Sequence, residues 1–201
     1  MARRYQLKQR ARRQEETRQR IIEAAVELHT TIGPAQTTVS AIAERAGVER
    51  LTFYRYFPDE HALLSACSSH YLTLHPLPDP TPWSRIADPE KRLRTALAEV
   101  YAYFRNNEQH QVAILQDAQV RPDLREFGAP YVQRWQQMQQ ALTAAWEDVS
   151  ASQSRLLNAA LGHALDFHTW RSLVRQQGLA EEQAITVMVR MVRCLGGEDK
   201  D

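Results

Sequence analysis

The stretch from Thr38 to Leu64 constrains the fold of this chain more than any other part. It reads TVSAIAERAGVERLTFYRYFPDEHALL. Apolar residues recur in its first part at the three- and four-residue spacing of a helix. Gly47 interrupts that pattern where a backbone with positive φ is easily adopted, and Pro58 ends a second, shorter helical pattern. A helix, a tight glycine turn and a short second helix form the layout of a helix-turn-helix, whose second helix enters the major groove of DNA.

The second predicted helix covers roughly residues 50–57 and carries an unusual surface. Phe53 and Phe57 are one turn apart, so both rings can face inward together. The other positions hold residue types that contact DNA well, because arginine binds guanine through two nitrogens and hydroxyls bind phosphate. We predict base contacts by Arg50, Leu51, Thr52 and Arg55, and phosphate contacts by Thr38, Tyr54 and Tyr56. The alternative is an ordinary helical hairpin with half-buried tyrosines.

These residues resemble the DNA-binding signature of the TetR (tetracycline-repressor) family of bacterial regulators. The resemblance runs without a gap from Thr38 to Leu64 and, with the preceding helix, covers roughly a quarter of the chain. It implies a three-helix DNA-binding head and a helical body that dimerises and binds a small organic ligand. It further implies a regulator, most often a repressor, that binds an inverted-repeat operator and is released from it by the ligand.

Two positions depart from the family pattern. Family members often carry a small capping residue in the position of Glu49 and a phosphate-binding lysine in the position of Glu60. Both carboxylates repel the DNA backbone, although Glu49 can instead accept a hydrogen bond from a cytosine amino group. The role of these two side chains at the DNA stays open.

The composition indicates an all-α protein. The chain has 201 residues, of which 43% are hydrophobic and 24% charged, and only 7 are glycine. Alternating strand patterns are essentially absent. No apolar run reaches the length that crosses a membrane, and the two cysteines make neither a metal pattern nor a disulfide framework. We therefore predict a cytoplasmic location.

The charge is unevenly distributed along the chain. Residues 1–57 hold 11 Lys/Arg against 6 Asp/Glu, whereas the rest holds 14 against 18. This asymmetry predicts a nucleic-acid-binding head on a body that does not bind nucleic acid. We divide the chain into a basic arm (1–14), a helix-turn-helix domain (15–58) and a ligand-binding and dimerisation body (59–201). The arm, with six basic residues and no acid, is expected to be disordered, lying along phosphates or in a minor groove, or serving as a solubilising tail.

The body separates into helices at its proline and polar breaks. The expected helices are 59–74, 90–107, 108–120, 130–149, 150–177 and 180–195, with a proline-rich loop at 75–89. The last two helices carry apolar residues on two faces. A second apolar face requires a partner, and a helical pair doubled by two-fold symmetry forms a four-helix bundle. We predict a homodimer through residues 150–195; the alternative is one large monomeric core.

The ligand that the resemblance implies needs an apolar lining with a few polar groups. The candidates are Tyr101, Phe104, Trp135, Met138, Phe167, His168 and Trp170. Aromatic residues at helical spacing are, however, more often ordinary core. A helical ligand-binding or interaction protein without DNA binding is the direct alternative to a regulator.

An enzyme is the third alternative, and the residues argue against it. His163 and His168 are five positions apart and do not share a helical face. The chain has no HExxH sequence, no nucleophile elbow and no glycine-rich phosphate loop. We predict no catalytic residue, no metal and no cofactor.

Overall fold

The computed structural model describes residues 2–146 and 150–196, and this part of the chain is all-helical, as predicted. Its helices are α1 (Ala2–Thr31), α2 (Val39–Ala46), α3 (Arg50–Tyr56), α4 (Glu60–Leu74), α5 (Pro89–Val120), α6 (Ala129–Thr143), α7 (Ala151–Ala164), α8 (Phe167–Arg171) and α9 (Glu181–Gly196). Short 3₁₀ segments lie at Pro34–Gln36, Trp83–Arg85 and Pro122–Gly128, and a π-helical turn lies at Ser172–Gln176.

The prediction of a disordered arm at residues 1–14 is wrong, because α1 extends back to Ala2. The segment contains neither glycine nor proline and consists mostly of Ala, Arg, Gln, Leu and Lys, which are strong helix formers. An i,i+4 ion pair between Arg12 and Glu16 (3.1 Å) supports the helix. The basic residues are therefore held on the faces of a helix.

The chain forms two compact units. The first is made of Met1–Pro76 and Gln109–Gly128, and the second of Leu77–Glu108 and Ala129–Asp201. Helix α5 thus contributes its first part to one unit and its last part to the other. The predicted functional division at residues 14 and 58 stays a prediction.

The core of the first unit joins α1, α2, α3 and α4. It consists of Ile21, Ile22, Ala24, Ala25, Ile42, Ala43, Ala46, Phe53, Phe57, Leu63 and Cys67. The turn between α2 and α3 is made by Gly47 in the left-handed conformation (φ 65°). The Val48 amide donates to the Ala43 carbonyl (2.9 Å) and closes the end of α2. This turn sets the direction of α3.

The second unit is built on α5, α6, α7 and α9, and the proline-rich loop packs against α5 and α6. The Trp83 ring is fully buried, and its indole N–H donates to Glu99 (3.0 Å). The buried Arg92 guanidinium donates to the carbonyls of Ile86 (2.7 Å) and Ala141 (2.8 Å). These bonds fasten the loop to α5 and α6.

Three helix boundaries differ from those expected. The break at Asn107 is a kink inside α5 (φ −124°, ψ 17°), so residues 90–120 form one helix in two parts. Helix α6 ends at Thr143, and the remainder of its predicted span includes residues outside the described part. The predicted helix 150–177 is interrupted because the Asp166 carboxylate accepts the amides of His168 and Thr169 and starts α8.

Candidate nucleic-acid interface

Helix α3 presents its polar side chains by burying two aromatic rings. Phe53 and Phe57 are 2% and 1% exposed, with ring centroids 6.0 Å apart. The Arg18 guanidinium lies over the Phe57 ring at 5.4 Å, which adds a cation–π contact to this anchor. With this face buried, the opposite face of α3 is turned to solvent.

The predicted base-contacting residues lie on that face. Arg50, Leu51 and Arg55 are exposed, and Leu51 is the most open at 82%. Thr52 is half-buried at the edge of the same face. Leu51 is therefore free to contact another molecule from this face.

The predicted phosphate-contacting residues lie at both ends of the helix-turn-helix. The Thr38 hydroxyl oxygen caps α2 by accepting the Ala41 amide (3.1 Å), and its side chain is exposed. Tyr54 is 44% exposed, with its ring edge-on to Phe53 at 5.5 Å. Tyr56 is half-buried, and the Arg55 guanidinium lies over its ring at 5.3 Å. Of the seven candidates between residues 38 and 56, five are therefore exposed, and Thr52 and Tyr56 are half-buried.

The carboxylates that depart from the family pattern have different surroundings. Glu49 lies exposed at the start of α3, and its side chain caps no amide there. Glu60 accepts two hydrogen bonds from the Arg121 guanidinium, at 2.7 and 3.1 Å. Arg121 also binds Asp123 at 2.5 Å. The charge of Glu60 is therefore paired, which the sequence did not reveal because 61 residues separate the partners.

The sequence analysis also missed how the end of α5 holds the helix-turn-helix. Asp117 is buried, and its carboxylate accepts the Ala35 amide (2.7 Å) in the loop before α2. Gly33, at φ 84°, lies so close to Asp117 that a Cβ atom would collide with the carboxylate. The Gly33-Pro34 pair in the sequence signalled a turn, but nothing in the sequence named the partner.

Two histidines in this unit are kept neutral by their surroundings. Burial lowers the pKa of His29 to about 4, although Glu60 and Asp117 oppose the shift. Burial, followed by the nearby His75 and His29, lowers the pKa of His110 to about 4. Both pKa values lie below the ordinary value of about 6.5.

A family match decides what this arrangement is. The sequence model of bacterial regulatory proteins of the TetR family matches residues 21–67, the segment that forms the helix-turn-helix and its supporting helices. This segment is the DNA-binding region of a TetR-family transcriptional regulator. The family consists of DNA-binding regulators and not of enzymes, so the predicted family, fold and absence of catalysis are confirmed.

Whole-chain similarities agree with this TetR-family assignment. The chain is 25% identical over 177 residues to the HTH-type transcriptional regulator EthR of Mycolicibacterium smegmatis, covering 85% of this chain and 82% of that protein. A TetR-like regulator from Rhodococcus sp. RHA1 has the same fold, with a TM-score of 0.61 at 18% identity over 90% of this chain and 97% of that one. FadR from Bacillus subtilis, in complex with stearoyl-CoA, matches with a TM-score of 0.55 at 18% identity, over 87% and 96%.

Most of the predicted ligand-lining residues of this TetR-family regulator meet in one aromatic cluster in the second unit. Phe104 lies at its centre, 5.8 Å from Trp135, 5.3 Å from Phe167 and 5.9 Å from Trp170 between ring centroids. Tyr101 also contacts Phe104 (6.4 Å).

The polar groups of this cluster are satisfied unequally. The Tyr101 hydroxyl donates to the Ala164 carbonyl (3.1 Å), and the Trp135 indole donates to the Leu165 carbonyl (3.2 Å). The Trp170 indole N–H is buried without an acceptor among the described residues. Met138 is fully buried, whereas His168 is exposed at the edge of Phe167.

Helices α7 and α9 pack together and leave apolar side chains outside. Leu156 on α7 is 56% exposed and Met191 on α9 is 53% exposed. Ala159 on α7 is also exposed. Ile185, Val189 and Val192 of α9 are buried within the chain, so only part of the second apolar face expected from the sequence is exposed.

Two further sequence expectations concern metals and membranes. Within residues 2–146 and 150–196, no group of three or more His, Cys, Asp or Glu side chains is arranged to hold a metal ion. None of the helices in this described part is long and apolar enough to cross a bilayer.

Proposed function

We propose that this TetR-family regulator is a dimeric repressor that binds an inverted-repeat operator and leaves it when a small organic ligand binds. The observation that carries the proposal is the solvent-facing surface of α3. Arg50, Leu51 and Arg55 project from a helix whose other face is fixed by Phe53 and Phe57.

The side chains of α3 have distinct roles in this proposal. Arg50 and Arg55 bind guanine edges through paired N–H groups, and Leu51 packs on a thymine methyl group. Thr52 contributes to the base contacts. Thr38, Tyr54 and Tyr56 donate their hydroxyls to phosphate oxygens, which fixes the register of α3 in the major groove.

A dimer is required because one seven-residue helix reads only a few base pairs. The outward apolar residues of α7 and α9, including Leu156 and Met191, support a four-helix bundle formed by two copies through residues 150–195. Two-fold symmetry then places two recognition helices on half-sites about 34–36 Å apart. The operator is accordingly an inverted repeat.

The aromatic cluster around Phe104 is the ligand site in this proposal. It offers apolar ring surface together with an indole N–H on Trp170 that lacks an acceptor. A ligand with an apolar body and one hydrogen-bond acceptor, such as a carbonyl oxygen, satisfies both features. The complex of FadR, which has the same fold, with stearoyl-CoA supports an organic ligand for this chain.

Helix α5 connects the proposed ligand site to the helix-turn-helix along the chain. It carries Tyr101 and Phe104 before the Asn107 kink and His110 and Asp117 after it. A ligand that enters the cluster moves the first part of α5. This movement is transmitted through Asn107 to Asp117, which holds the loop before α2.

Selection of operators from a random duplex library tests the central claim. The purified protein is expected to enrich an inverted repeat. Arg50→Ala and Arg55→Ala lose or relax the preference at specific base pairs, whereas Arg85→Ala, an exposed arginine of the second unit, leaves it intact. Absence of enrichment at low salt would contradict operator binding.

A further inference from the structure

The face of α1 that precedes the helix-turn-helix forms a groove with the end of α3. The groove measures about 530 Å³ and is open to solvent on one side. Its lining consists of Gln6, Gln9, Arg10, Arg13, Gln14 and Thr17 from α1 and Arg55 and Tyr56 from α3. The residues from α1 recur at three- and four-residue steps, so they share one face of that helix.

The charged residues that line this groove are all positive. Three of its lining residues are arginines and three are glutamines, and none is acidic. Two other basic residues of α1 are neutralised within the helix, since Arg12 pairs with Glu16 at 3.1 Å and Arg18 with Glu15 at 3.8 Å. Across the described residues, Arg10 and Arg13 have no such acidic partner.

The shape of the groove suits an extended polyanion. Gln6 and Thr17 are separated by about 16 Å along the axis of α1, because a helix rises about 1.5 Å per residue. A strand of duplex DNA presents a phosphate about every 3.4 Å along its axis. Guanidinium groups and amide N–H groups are the donors that bind phosphate oxygens.

We propose that this groove, through Arg10 and Arg13, binds the sugar-phosphate backbone of the operator duplex beside the bases that α3 reads. The proposal rests on the proposed operator binding and extends it to a second element. The groove is continuous with the recognition surface, since Arg55 and Tyr56 belong to α3 and line the groove. Arg10 and Arg13 supply affinity without selecting bases.

Two double variants with the same loss of charge test the proposal. Arg10→Gln/Arg13→Gln removes two charges from the groove. Arg4→Gln/Lys8→Gln removes two charges from exposed positions of the same helix that do not line the groove. Glutamine has a helix propensity close to that of arginine and lysine, so circular dichroism and thermal unfolding are expected to match the wild type for both variants.

Binding of the full-length proteins to the selected operator is measured between about 0.05 and 0.2 M salt. Arg10→Gln/Arg13→Gln is expected to weaken binding at least tenfold and to reduce the salt slope by about two for each protomer, since each lost phosphate contact removes about 0.9. The base preference stays unchanged. Arg4→Gln/Lys8→Gln is expected to change the slope by less than half a unit for each protomer.

Phosphate ethylation interference locates the contact. The groove variant is expected to become insensitive to ethylation at neighbouring phosphates in each half-site, whereas the control variant keeps the wild-type pattern. Equal effects of the two double variants, or an unchanged set of phosphates, would overturn the groove assignment. If the wild type selected no operator, the proposed function itself would fail, which is a different result.

Discussion

His110 and Tyr71 stack face to face, with ring centroids 3.6 Å apart and ring planes 18° apart. Tyr71 lies on α4 and His110 on the last part of α5. His75 stacks on the same tyrosine at 4.5 Å, and the Thr30 hydroxyl lies 3.5 Å from His110 Nδ1. The end of α5 is therefore packed into the unit that carries the helix-turn-helix, through the buried His110 ring, whose pKa is lowered to about 4.

Stability is expected to fall in mild acid because of this packing. The pKa values of His29 and His110 are lowered to about 4, whereas an unfolded histidine titrates near 6.5. Between these values the unfolded state binds more protons, so stability is full above about pH 6.5 and is lost as the pH falls toward 4. At pH 5 the loss is about 2 kcal/mol for each histidine.

Urea unfolding at pH 7 and pH 5 measures this effect. His110→Gln is expected to reduce the difference between the two pH values, whereas exposed His168→Gln keeps it. An equal pH dependence of stability in both variants would show that His110 does not contribute to the loss in acid.

Glu60→Lys is expected to tighten DNA binding and to steepen the salt slope by about one unit or more. The substitution removes the carboxylate that neutralises Arg121 (2.7 Å) and adds a positive charge beside it. The ion pair is partly exposed, so its loss costs only up to about 1 kcal/mol of stability. Binding titrations at several salt concentrations check this, with Glu60→Gln as the variant that only breaks the pair. An unchanged slope in Glu60→Lys would place residue 60 away from the DNA.

Tyr54→Phe separates phosphate contact from base reading. The variant keeps the ring that lies against Phe53 and loses only the hydroxyl. We expect operator and unrelated duplexes to be weakened alike, by roughly fivefold for about 1 kcal/mol. Leu51→Ala, in contrast, is expected to lower affinity only for duplexes with the preferred base pair. Competition assays with both duplexes distinguish the two roles; an operator-specific loss in Tyr54→Phe would refute the phosphate assignment.

Gly33→Ala is expected to destabilise the protein more than Gly47→Ala. Both glycines have positive φ, at 84° and 65°, but only Gly33 lies against a carboxylate, that of Asp117. The conformational cost is about 1–2 kcal/mol at Gly47, which is left-handed helical, and about 1–3 kcal/mol at Gly33, whose ψ of 155° lies in a region essentially restricted to glycine. Thermal unfolding measures the difference. In Gly33→Ala/Asp117→Ala the collision is absent, so the double variant is expected to lose less stability than the sum of the two single variants. Strict additivity would show that the close approach is unimportant.

Leu156→Glu/Met191→Glu is expected to yield a monomer that binds the operator at least tenfold more weakly. Both side chains are more than half exposed on α7 and α9, and a buried carboxylate without a partner opposes association. Sedimentation and DNA binding are the measurements. Val132→Glu changes a similarly exposed residue of α6 (56%) and is expected to leave the dimer intact. A dimeric double variant would move the interface away from this face.

The helix-turn-helix was predictable because its determinants are local. Phe53 and Phe57 are four residues apart, and Gly47 and Thr38 define the ends of α2 within a few positions. Caps, turns and helical periodicity act over distances of one or two turns, so they are written in consecutive residues. The aromatic candidates of the body were also found by spacing, although spacing did not show that Phe104 is their centre.

The sequence by itself determined the all-helical class, the family and the residues that α3 turns to solvent. Only the tertiary structure decided that Arg121 pairs with Glu60, that Asp117 holds the loop before α2, and that Arg10 and Arg13 share a groove with Arg55. These partners are 42 or more residues apart in the chain. Their meeting depends on how whole helices pack, and the pattern of neighbouring residues does not encode that distance or direction.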